Sequence, residues 1–112
     1  MSRFAGAELP FEAKQALRVL PTIDVAGFVI VLEALVSHIS GATIASSEVA
    51  RSLQRATSLD MGALGTLFTG LDWLLRTCMR SSLKPKLLHA ELTDVRVHPP
   101  CIEPIVQAVE RR

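Results

Sequence analysis

The sequence predicts an all-α fold, a compact globular bundle of about six helices with an apolar central helix. Leu and Ala, both strong helix formers, supply 16 and 13 of the 112 residues. Aromatic strand formers are scarce, with four Phe, one Trp and no Tyr. Between prolines and small polar residues, apolar side chains recur three and four apart, the spacing of a single helix face. A chain of this length is one domain, and it can bury roughly two-thirds of its unfolded surface without disulfide or metal staples.

The first helix is expected from Pro10 to about Leu20, with Pro10 at the first helical position and Leu9, Ala13, Ala16, Leu17 and Leu20 on one stripe. Pro21 ends it. The second runs from about Ile23 to Ser40, capped by Thr22 or Asp24 and stopped by Gly41. It is apolar nearly all round, as suits a helix that others wrap. Its most apolar stretch, Val25 to Ile39, is interrupted by Gly27, Glu33, Ser37 and His38 and falls short of the roughly 20 apolar residues a membrane span needs.

The third helix, about Ser47 to Ala56, is short and amphipathic. Ser46 or Ser47 can cap it, and Glu48 in the first turn suits the helix dipole. The fourth, about Leu59 to Arg80, is the longest. Ser58 is its expected cap, and Leu64, Leu67, Phe68, Leu71, Leu74, Leu75 and Cys78 form its buried stripe. The fifth starts at Pro85, with Leu83 and Leu88 placed as a hydrophobic staple around a cap at Lys84. The last begins between Pro99 and Pro104, because proline is tolerated in a first turn and not deeper. Its periodicity in Ile105, Val106 and Val109 is still running near Arg112, so a single domain cut from a longer chain is expected.

Twelve Lys and Arg against eleven Asp and Glu leave a formal charge of +1, without the basic excess or stacking aromatics that a nucleic-acid binder uses. Two cysteines cannot make a disulfide framework, and no stretch has the layout of a signal peptide. A reducing cytosolic or nuclear setting is the expectation.

No nucleophile elbow, zinc-protease, Walker A or dinucleotide pattern occurs, so no catalytic residue is assigned and the chain is not expected to be an enzyme. Asp72 and Arg76 are an i, i+4 pair worth only a few tenths of a kcal/mol. Soft ligand types gather in the last third as Cys78, Met79, His89, His98 and Cys101, and a copper-binding module using Cys78, Met79, His98 and Cys101 is the alternative reading. Against it, Cys78 falls on the Leu stripe as a small hydrophobe, and no second pair completes a tetrahedral set beside His98-Pro-Pro-Cys101. No cofactor is expected.

Opposite the Leu stripe of the fourth helix lie Gly62, Thr66, Thr69, Gly70, Trp73 and Thr77, bordered by Arg76 and Arg80. Small residues there admit a second backbone. Trp and Arg are enriched at interaction hot spots, which makes Trp73, Arg76 and Arg80 the candidate partner-binding residues. The alternative is that Trp73 packs inside the domain with an arginine stacked on its ring. Arg76, Arg80, Lys84 and Lys86 also form a small basic cluster, read either as compensation for a helix C-terminus or as a site for an acidic segment or phosphoinositide headgroup.

Three stretches carry a family resemblance: Phe4-Ala5-Gly6-Ala7-Glu8-Leu9-Pro10, Leu64-Gly65-Thr66-Leu67-Phe68-Thr69-Gly70, and Ser82-Leu83-Lys84-Pro85. In their order and spacing the chain resembles the N-terminal helical domain of the COMM-domain, copper-metabolism-related proteins, over about Phe4 to Val109. The resemblance implies a scaffold. Its partners would be other COMM-domain proteins and coiled-coil subunits of one complex, acting in endosomal cargo recycling with links to NF-κB signalling, ubiquitin ligases and copper handling. The family's C-terminal pairing domain would follow this one, and the domain by itself would be monomeric.

Overall fold

The computed structural model describes residues 3, 4, 6–41 and 47–110. A short antiparallel hairpin, β1 (Arg3–Phe4) and β2 (Ala7–Glu8), leads into α1 (Phe11–Val19) and a single 3₁₀ turn over Leu20–Thr22. There follow α2 (Val25–Ile39), α3 (Ser47–Thr57), α4 (Met61–Ser81), α5 (Pro85–Asp94) and α6 (Pro99–Glu110). The protein is an all-α bundle, with six helices among the described residues.

The hairpin is an addition to the expected fold. Gly6, at φ +84°, makes the reversal, and each strand is two residues long, too short to leave an alternation in the sequence. Its purpose in packing is Phe4, which is fully buried.

Several helix ends differ from the expected ones. Pro10 stands outside α1 in extended conformation, its carbonyl accepting from Lys14 N at 3.1 Å, so Phe11 takes the first helical position. The expected cap Ser58 of α4 is displaced by Asp60, whose Oδ1 accepts from Ala63 N at 2.7 Å. A carboxylate there faces both a free N–H and the positive helix end. Ser58 instead takes a left-handed conformation, φ 59°, between the two helices. For α3, Ser46 lies outside the described residues. Lys84 occupies the cap position of α5 without a side-chain cap bond, since an ammonium has no acceptor, while Leu83 is half-buried and Leu88 buried. Pro104 sits inside α6 and has no N–H for the Pro100 carbonyl one turn back.

The centre is shared by two helices. Apolar α2 packs on α3, α4 and α6, but it keeps an open face at Val25, Ile30 and Glu33. Long α4 packs on α1, α2, α3 and α6 and buries Leu64, Leu67, Leu71, Leu74, Leu75 and Cys78. Each such leucine stabilises by about 1.5–3 kcal/mol. Two crossings depend on a missing side chain. At Gly70 a Cβ would fall on the Glu12 carbonyl and the Ala16 methyl of α1, and at Gly27 on the Ala56 carbonyl of α3. No described helix is long and apolar enough to cross a membrane.

Candidate functional site

The face of α4 opposite its leucines is divided by α1. Gly70 is closed against Ala13 and Ala16, and Thr77 is buried, so the small residues do admit a second backbone, that of the same chain. Elsewhere on the strip Gly62 and Thr69 are exposed, as are the bordering Arg76 and Arg80, and Thr66 is half-buried.

Trp73 lies between these conditions, half-buried and packed against the core. Its surroundings are tied together by three bonds. Thr77 Oγ1 donates to the Trp73 carbonyl at 2.8 Å, Arg80 Nη2 donates to Thr77 Oγ1 at 3.4 Å, and Arg76 Nε donates to Asp72 Oδ1 at 2.9 Å. Both guanidinium groups are thus held to polar atoms of α4. No cation–π contact with Trp73 occurs among the described residues, where His38 on Phe68 is the only ring contact. The Arg76 side chain remains 47 % exposed. Beyond Arg80, Lys84 and Lys86 are exposed at the start of α5, whose first turn holds no acid. The stretch from Arg76 to Lys86 therefore presents four cations, and only Arg76 has a carboxylate partner among the described residues.

The copper alternative does not assemble. Cys78 of α4 and Cys101 of α6 are buried, Met79 and His98 are half-buried, and no three His, Cys, Asp or Glu side chains converge among the described residues. Burial pushes the Cys78 thiol up to about 12, partly opposed by a bond to its own backbone, and the Cys101 thiol up to about 11. Both are protonated near neutrality, the form in which a thiol is a poor nucleophile. The reading of Cys78 as a small core hydrophobe agrees with its place on the buried stripe.

A surface that motif and spacing did not reveal lies at the other end of α4. Phe11 is 70 % and Met61 56 % exposed, and together they border a groove of about 580 Å³ floored by Gly62 and Gly65. One signal was present in the sequence: Phe11 falls off the Leu9, Ala13, Ala16 and Leu20 stripe, so it has no place in the core that α1 faces. A second cleft, about 380 Å³, separates α2 from α6 near Leu32, Val36 and Pro104. No protein-family model, curated protein or solved structure matches this chain.

Proposed function

We propose that the chain is a non-catalytic protein-interaction domain, the N-terminal helical domain of a COMM-domain protein that serves as scaffold in a multisubunit complex for endosomal cargo recycling. Regulation of NF-κB belongs to the same reading. Its partners are other COMM-domain proteins and coiled-coil subunits, met in the cytoplasm or at endosomes.

The observation that supports it is the surface of Trp73, Arg76 and Arg80. Two exposed guanidinium groups are fixed on one helix face by Asp72 and Thr77, beside the single Trp of the chain. Fixing long side chains in advance lowers the entropy lost on binding, and Trp and Arg are among the residue types most enriched at hot spots.

Pull-down from cells with full-length protein tests it. Trp73→Ala probes the anchor, and Arg76→Glu with Arg80→Glu reverses the charge at exposed positions without entering the core. Loss of COMM-domain and coiled-coil subunits from the recovered material, with the thermal midpoint of the double variant unchanged, is the expected result. Undiminished recovery with both variants overturns the proposal.

A further inference from the structure

The formal charge of +1 conceals a segregation. From Trp73 to Ala90 the chain has Arg76, Arg80, Lys84 and Lys86 and not one Asp or Glu, so the remaining residues carry an acidic excess. All four cations are exposed. Arg76 and Arg80 stand one turn apart on α4, where Asp72 and the negative helix end account for them. That account fails for the two lysines. Lys84 is the residue before α5 and Lys86 the second residue within it, at the positive end of that helix, and no acid in the first turn offsets them. Their placement works against the fold, and neither has a carboxylate partner among the described residues. Leu87, next in the chain, is 55 % exposed.

We infer that the joint between α4 and α5 receives an acidic segment of a partner protein, with its carboxylates on Arg80, Lys84 and Lys86 and an apolar side chain against Leu87. This names the chemistry of the partner at the surface proposed above, and it rests on that reading. Charge selects the occupant, because like-signed groups crowded without a counter-charge favour an approaching surface of opposite sign. Lys84 is four residues past Arg80 and Lys86 six, so the chain holds them within about 14 and 21 Å of it, the reach of a short extended segment. The acids of α5 decide against a broader partner. Glu91 and Asp94 lie one and two turns beyond Leu87 on the same side of the helix, so a flat anionic bilayer that took up Leu87 would meet them as well. A segment crossing the joint stays clear of both.

Fluorescence anisotropy with the purified chain tests the inference. The probes are a labelled peptide of Glu residues around one central Leu, about eight residues long so that it spans the joint, and the same peptide with Gln in place of Glu. The Glu peptide should bind with a dissociation constant of about 10–100 μM at low salt and about tenfold more weakly at about 0.5 M salt, and the Gln peptide should not bind. Lys84→Glu with Lys86→Glu should weaken binding at least about tenfold, while the thermal midpoint stays or rises because acids suit that helix end. Lysines with a merely structural role would not give that pair of opposite effects. Equal binding of the two peptides, or of the double variant and wild type, overturns the inference. So does binding to vesicles of phosphatidylcholine and phosphatidylserine by a chain that leaves the Glu peptide free, which assigns the patch to a membrane. The pull-down above does not touch the lysines. COMM-domain and coiled-coil subunits that are retained by Lys84→Glu with Lys86→Glu but lost by Arg76→Glu with Arg80→Glu overturn the acidic segment and leave the scaffold reading in place.

Discussion

Gly70 of α4 and Ala16 of α1 meet so closely that a Cβ on the glycine would overlap the alanine methyl. This contact sets how near the two helices come, and it decides which part of the α4 strip is left for anything else. Beside it the Glu12 carbonyl also fills the space, and that atom belongs to a helix backbone that has no rotamer to change.

Gly70→Ala should therefore destabilise the protein by about 1–3 kcal/mol, despite the better helix propensity of alanine, because α1 must be pushed off α4. Gly27→Ala should do the same where α3 crosses α2 at the Ala56 carbonyl. Urea denaturation measures both. Unchanged midpoints would show that these crossings are looser than described.

Gly65→Ala should have the opposite sign. The position is open and helical, so the substitution should stabilise the fold by about 0.5–1 kcal/mol, read as a higher urea midpoint. Loss of stability would mean that something inside the chain fills the space over Gly65.

Asp60→Ala removes the bond to Ala63 N and a negative charge at the start of α4, and it should cost about 0.5–2 kcal/mol. Ser58→Ala does not disturb that bond. Thermal unfolding of the two variants side by side separates a cap at residue 60 from one at residue 58.

Alkaline pH should weaken the fold through its thiols. Cys78 and Cys101 titrate higher in the folded chain, at about 12 and about 11, than the ordinary value of 9.0. Below pH 9 both states hold these protons and the thiols leave stability unaffected. Above it the unfolded chain releases protons that the folded chain retains, so stability falls as pH rises toward the folded values. Ultraviolet thiolate absorbance follows this without interference from phenolate, since the chain has no Tyr. Cys78→Ala should show a shallower decline in the unfolding midpoint above pH 9 than wild type; an identical decline contradicts the role of that thiol.

The sequence by itself determined the helices and their buried stripes. Leu64, Leu67, Leu71, Leu74, Leu75 and Cys78 are inside because three- and four-residue spacing places them on one side of α4 wherever that helix lies. Pro21, Gly41 and Pro85 mark boundaries through constraints on their own backbone, which need no partner. What the chain does to the other side of α4 is a matter between helices. Gly62, Gly65 and Gly70 are the same residue in the same helix, yet α1 closes over Gly70 and leaves the other two open. Ser58 and Asp60 compete for one cap, and the turn after α3 gives it to the carboxylate. Trp73 could pack or project, and the fold half-buries it while Asp72 and Thr77 hold the neighbouring arginines. Local spacing fixes which face a residue is on, and only the packing of one helix against another fixes what that face meets.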